Sequence, residues 1–177
     1  DNRSASGKGA ESQWPVYLRL GELELQDLED GIGWLKQQPW VDSSRLVLSG
    51  WSYGGFMTAY ALTHSTSWSA GIVGAPGTDW RDYDSGYHER PMKMPQHNAD
   101  GYRRTAPRFA ADRLNARMLL IHGTMDDNVH MQNSVQFAYE LQKAGKPFEM
   151  MVYAKQRHGF TDYRLIAHLH QTMFDFV

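Results

Sequence analysis

The chain has 177 residues, 41% hydrophobic and 21% charged, with 16 Gly and 7 Pro. That suits one domain able to hide roughly 70% of its unfolded surface, and sets aside disordered, fibrous and low-complexity classes. With 18 Lys+Arg against 20 Asp+Glu the net charge is −2, so no basic excess favours nucleic acid as a partner, and the absence of cysteine excludes a disulfide scaffold and thiolate metal sites.

Residues 1–15 are Gly/Ser-rich and polar and read as a loop, with no charged-then-apolar leader of the export type. Leu25, Leu28, Ile32 and Leu35 fall at offsets 0, 3, 7 and 10, one face of a helix that Pro39 closes. Asp27, Glu29 and Asp30 are then expected on its outer face. A short apolar run at 45–50 has strand character, and helical patterning resumes from Gly55 to Leu62. Ala70–Gly74 is a weaker strand, and residues 75–113 show only local helical patterning. Met118-Leu-Leu-Ile121 is the clearest strand and also the longest aliphatic run, far short of the roughly 20 residues of a membrane span. Met131–Ala144 reads as a helix stopped by Gly145, 148–153 as a fourth strand, and Ile166, Leu169, Met173 and Phe176 as the face of a last helix. Strands separated by helices predict an α/β fold with a mostly parallel sheet.

Gly50-Trp-Ser-Tyr-Gly-Gly55 sits where a predicted strand meets a predicted helix. A sharp strand-to-helix turn of this kind lifts a serine hydroxyl clear of the sheet, and glycines two before and two after Ser52 leave room for it. With 12 serines in the chain, chance yields about 0.1 such patterns before context is considered. The Tyr53 amide, at a helix N-terminus, is a natural oxyanion donor.

A serine nucleophile needs a base, and the base needs an acid. Asp126 and Asp127 follow the third predicted strand and His158 follows the fourth, at the carboxyl ends where parallel sheets gather their sites. Serine, then acid, then histidine is the chain order of α/β-hydrolases, and spacing alone leaves both aspartates open. His122, His130, His168 and His170 lack a convergent metal-ligand spacing and are expected to be structural or solvated. Trp80, Tyr83 and Tyr87, at offsets 0, 3 and 7, share one side of a helix if that segment is helical. They would form either core packing or an apolar pocket for a ring.

Together, the Gly50–Gly55 motif, Trp80-x-x-Tyr83-Asp-Ser-x-Tyr87-x-Glu-Arg90, His122-Gly-Thr-Met-Asp-Asp-Asn-Val-His130 and His158-Gly159 resemble dipeptidyl peptidase IV-like serine peptidases of the prolyl oligopeptidase family. The resemblance implies an α/β-hydrolase fold, of which residues 1–177 would be the C-terminal part of the catalytic domain. The strand at 45–50 would then lack one neighbour, and an upstream half-domain and β-propeller would complete the protein. It implies Ser52 as nucleophile, His158 as general base and Asp126, rather than Asp127, as the orienting acid, with no metal or organic cofactor.

It also implies that Tyr53, Trp80, Tyr83, Tyr87 and Val129 line a pocket for proline or alanine, and that Asn128 bonds a substrate carbonyl. Gly77 stands where relatives often carry an apolar side chain, which implies a wider pocket. The implied reaction releases N-terminal dipeptides from peptide substrates through an acyl-enzyme. A homodimer and a periplasmic, extracellular or cell-surface location are implied by the likeness alone. The alternatives are an oligopeptidase or acylaminoacyl peptidase of the same family, an esterase on the same fold, and a non-catalytic module that has kept the fold.

Overall fold

The computed structural model describes residues 2–177. Its four strands are β1 (Val47–Trp51), β2 (Ala70–Gly74), β3 (Arg117–Gly123) and β4 (Glu149–Tyr153). They form one sheet in the order β1-β2-β3-β4, every pair parallel. Each connection therefore crosses back over the sheet, and all four carboxyl ends lie along one rim.

Strand alternation sorts the side chains into two layers. Leu48, Val73, Leu120 and Met150 face the larger core, while Val47, Ile72, Leu119 and Met151 face a smaller one. The sheet is covered on both faces, which is why β2 and β3 read as nearly continuous apolar runs. On the larger side pack α2 (Glu22–Leu35), α3 (Tyr53–His64) and α6 (Gln132–Lys143). The smaller layer is closed by α7 (Tyr163–Phe176), whose Leu169, Met173 and Phe176 meet Ile72, Leu119 and Ile121.

Several expectations need correction. The leading segment carries a short helix, α1 (Ala10–Gln13), and a 3₁₀ turn over Trp14–Val16. Of the three acids expected on the outer face of α2, Asp30 is exposed, but Asp27 and Glu29 are engaged. Asp27 accepts from the Arg3 guanidinium and backbone, and Glu29 accepts from the hydroxyls of Ser65 and Ser67.

The segment from 75 to 113 is a chain of short turns and helices: 3₁₀ turns at Trp80–Asp82, Pro95–His97 and Pro107–Arg113 around α4 (Ser85–Met92) and α5 (Ala99–Arg104). Trp80, Tyr83 and Tyr87 thus lie on a 3₁₀ turn, an extended residue and a helix, not on one helical face. Asp79 and Asp84 cause the break. Each caps a new turn by accepting from the amide two residues on.

Candidate active site

Ser52 sits between β1 and α3 at φ 61°, ψ −118°, a left-handed conformation that costs a non-glycine residue about 1–3 kcal/mol. Close backbone approaches hold it there. A Cβ at Gly50 would overlap the backbone of Gly54, and one at Gly55 would overlap the carbonyl of Gly74. Gly54 itself faces open space, so the second glycine that the turn requires is Gly55 rather than Gly54. The Ser52 amide donates to the Gly74 carbonyl at 2.9 Å. That bond occupies it, whereas the amide of Tyr53, in the first turn of α3, has no acceptor within the helix.

The loops after β3 and β4 are stitched together. The Thr124 amide donates to the Tyr153 carbonyl, the Met125 amide to that of Gln156, and the Lys155 amide to the Thr124 hydroxyl. Gly123 permits this, because a Cβ there would overlap the Gln156 carbonyl. The result brings His158 Nδ1 to 2.8 Å from Asp126 Oδ2. A carboxylate only accepts, so Nδ1 carries the proton and Nε2 is left with its lone pair.

Asp126 has a fully buried side chain, and its Oδ1 accepts from the amides of Asn128 and Val129 at 3.0 and 2.9 Å. Asp127 points outward to an ion pair with Arg157. Geometry therefore separates two aspartates that spacing leaves equivalent.

Ser52 also borders a cavity of about 100 Å³ lined by Tyr53, Gly77, Trp80, Tyr83, Tyr87 and Val129. Ring centroids of Trp80 stand 5.7, 6.1 and 6.3 Å from those of Tyr53, Tyr83 and Tyr87, so the aromatic walls brace one another. Burial pushes the Tyr83 and Tyr87 phenols above their ordinary values, keeping them neutral donors. Tyr83 donates to Asn128 Oδ1 at 2.7 Å and so orients that amide, which does not itself line the cavity. A wider groove of about 740 Å³ runs behind Tyr53 and Tyr87 past Trp14, Tyr17 and Leu20, but none of Ser52, Asp126 or His158 lines it. Among the described residues no group of three or more His, Asp or Glu is placed to hold a metal ion, and no helix is long and apolar enough to cross a membrane.

Residues 1–177 match the prolyl oligopeptidase family (Peptidase_S9) over their whole length. The chain belongs to the prolyl oligopeptidase family. It is 39% identical to the venom dipeptidyl peptidase 4 of Vespula vulgaris over 179 residues, which cover 98% of this chain and 23% of that protein. It is 34% identical to dipeptidyl peptidase 8 of Mus musculus over 164 residues, covering 90% and 18%. The crystal structure of Porphyromonas gingivalis dipeptidyl peptidase 4 superposes with a TM-score of 0.91 at 37% identity, covering 99% of this chain and 26% of that one. The fold is thus that of the α/β-hydrolases, and the chain spans about a quarter or less of these relatives' length.

Three residues of this prolyl oligopeptidase-family chain serve the site without having been singled out from sequence for that role. Trp51 Nε1 donates to the His158 carbonyl at 2.9 Å. His122, expected only to be structural or solvated, is fully buried beneath the acid. Its Nε2 donates to the Val129 carbonyl at 2.7 Å and stands 3.3 Å from Asp126 Oδ2, and its Nδ1 meets the Ser134 hydroxyl. Burial holds it below its ordinary value and therefore neutral. Glu24, the third, is fully buried in the first turn of α2. A glutamate on the apolar side of that helix, three residues after Gly21, was the available signal. His130 is exposed, and His168 pairs with the Tyr153 hydroxyl at 2.9 Å, away from the site.

Proposed function

We propose that this chain is the C-terminal part of the catalytic domain of a serine peptidase that releases N-terminal dipeptides, with proline or alanine at the penultimate position. The observation that carries the reading is the buried carboxylate on His158, at 2.8 Å, on a loop bonded to Trp51, the residue before a strained serine that opens onto a small aromatic cavity. His158 Nε2 takes the proton of the Ser52 hydroxyl as Oγ attacks the scissile carbonyl, and Asp126 stabilises the imidazolium that forms. The Tyr53 amide donates to the developing oxyanion. The proton then passes from His158 to the leaving amine, and the dipeptidyl ester on Ser52 is hydrolysed by water activated in the same way.

Specificity follows from the cavity. A pyrrolidine ring or a methyl group fits a space of about 100 Å³ walled by Trp80, Tyr83 and Tyr87, whereas a long side chain does not. Gly77 borders the same space, and a Cβ there would meet Trp80 at an ordinary 3.6 Å, so the missing side chain widens the pocket without being forced by the fold. In the intact protein, β1 would gain a further strand at the sheet edge and the propeller would cover the site. Peptides are the partners this site fits.

The test is fluorophosphonate labelling of the intact protein, mapped by peptide mass with Ser52→Ala as control, followed by cleavage of H-X-Pro-anilide and its N-blocked counterpart. Single labelling at Ser52 and cleavage of the free-amine substrate alone is the expected result. Cleavage of the blocked substrate would move the protein to the oligopeptidase or acylaminoacyl branch, and turnover of aryl esters alone would make it an esterase. Absence of labelling would overturn the reading.

A further inference from the structure

Glu24 is a carboxyl group with no exposed surface, and both of its oxygens are used. Oε2 accepts from the Gly21 amide at 2.9 Å, closing the first turn of α2, and Oε1 accepts from the Tyr53 hydroxyl at 2.7 Å. These two bonds join the start of α2 to the residue that follows Ser52. Gly21 adds contact in the same place. It lies at φ 96°, close enough to α3 that a Cβ would press on the rings of Phe56 and Tyr60. Phe56 in turn stands 5.3 Å from Tyr53 and 4.7 Å from Trp80, ring centre to ring centre.

Tyr53 has two duties in the proposed reaction. Its amide faces the oxyanion and its ring is a wall of the specificity cavity. A tyrosine in the first turn of a helix could turn about χ1 and swing that ring, and the hydroxyl is the atom whose tethering prevents it. Burial and the nearby Glu24 charge push the Tyr53 phenol well up, so it stays a donor at any working pH. Burying a carboxylate is costly unless both oxygens are satisfied, which they are here by one backbone and one side-chain donor.

The geometry points to Glu24 as a positioning residue for the peptidase reaction: its carboxylate fixes the Tyr53 ring and amide, and so sets the shape of the pocket and the preference for proline. This rests on the dipeptidyl peptidase reading above.

The test uses the intact protein and the variants Glu24→Ala, Glu24→Gln and Tyr53→Phe. Rate constants for H-X-Pro- and H-X-Ala-anilides are normalised to the fraction of protein that takes a fluorophosphonate label. Glu24→Ala is expected to lose about tenfold in kcat/KM per active site toward the proline substrate, the size of effect expected when a buried charged hydrogen bond is removed. Its Pro-to-Ala ratio should shift by about threefold, well outside assay error. Glu24→Gln keeps the shape, with its amide oxygen on Gly21 and its NH₂ donating to the Tyr53 oxygen, and should recover most of the loss. Tyr53→Phe should show the same shift in ratio, and combining it with Glu24→Ala should add little.

A purely structural glutamate would lower melting temperature and labelled fraction while leaving the per-site constants and the ratio unchanged, and that result overturns the proposal. If Glu24→Ala does not fold, Tyr53→Phe decides, and an unchanged ratio there overturns it equally. An active wild type beside unaltered variants removes only the role of Glu24. A wild type that neither takes the label nor cleaves either anilide removes the underlying reading and this inference with it.

Discussion

The indole of Trp51 donates to the backbone carbonyl of His158 at 2.9 Å, so the residue just before Ser52 holds the loop that carries His158. The ring fits because β2 offers Gly74 beneath it, where a Cβ would overlap the indole, and Phe160 closes the far side edge-on at 5.8 Å. Ser52 and His158 are thereby referred to one rigid strand end. Trp51→Phe keeps most of the ring and loses the bond, so it should cost stability by about 1 kcal/mol. The sharper consequence is kinetic. Fluorophosphonate labelling at Ser52 should slow by about tenfold, because loosening the His158 loop spoils the alignment that proton transfer needs. Stopped-time labelling read by intact mass measures this, and an unchanged rate would show that the stitching to Thr124 and Met125 is sufficient alone.

Asp126 and Asp127 are adjacent in sequence and opposite in environment. Asp126→Asn can keep an oxygen for the amides of Asn128 and Val129, but it offers an NH₂ to His158 Nδ1 and so favours the wrong tautomer. A loss of about 10⁴-fold in kcat accompanied such a change in the well-studied triad of another serine protease, and a loss of about 10²–10⁴ is expected here with the fold intact. Asp127→Asn removes only an exposed pair with Arg157 and should stay within about twofold, since surface ion pairs contribute about 0–1 kcal/mol. Steady-state kinetics on the two variants side by side is the measurement. Equal losses would mean that the acid has been misassigned.

How much of this could be read beforehand depended on how local the signal is. The helices α2, α6 and α7 were legible because each carries its own periodicity, whereas the strands and α3, which is buried all round, showed as short apolar runs between turns. Gly145, at φ 66°, does end the helix before it. Ser52 was legible because a tight turn leaves its glycines in the sequence. Which glycines was less legible: the pattern names Gly50 and Gly54, whereas the contacts single out Gly50 and Gly55, because Gly55 meets a carbonyl of β2 that is distant in sequence. The stretch from 75 to 113 was opaque for a related reason. Its turns are set by the side chains of Asp79 and Asp84 and packed against α3 and α6, with no period of their own. Glu24, Trp51 and His122 act across the chain, through partners at Tyr53, His158 and Val129. No spacing rule joins such pairs.

The glycine assignment makes a prediction about stability. Gly50→Ala forces a methyl group into the backbone of Gly54, and the turn cannot open without moving Ser52. A loss of about 3 kcal/mol or more is expected, within the range that overpacking and backbone strain together produce. Gly54→Ala enters open space at a helical position and should leave the protein as stable, or more stable by about 0.5–1 kcal/mol. Urea denaturation of the two variants reads the difference directly. A destabilised Gly54→Ala would mean that the turn needs that glycine for more than room.

Histidine burial makes the last prediction, for pH. His122 lies beneath Asp126, and His64 stacks on Tyr60 at 3.9 Å; burial holds both below the ordinary histidine value, so the native state keeps them neutral. The unfolded chain protonates them near pH 6.5. Above that pH neither state takes up protons at these sites and stability is flat. As pH falls below it the unfolded state binds more protons than the native state, so unfolding becomes easier, with a slope of at most about 1.4 kcal/mol per pH unit for each histidine. The loss continues until the native values are reached.

The denaturation midpoint should therefore be lower at pH 5.5 than at pH 7.5, a window that lies above the range in which Asp27, Asp42 and Asp162, all held low by their hydrogen-bond donors, begin to protonate. His64→Gln should flatten part of the slope without touching the site. A midpoint that does not move between those pH values would mean that the folded and unfolded states take up protons alike, so that burial does not hold these imidazoles low.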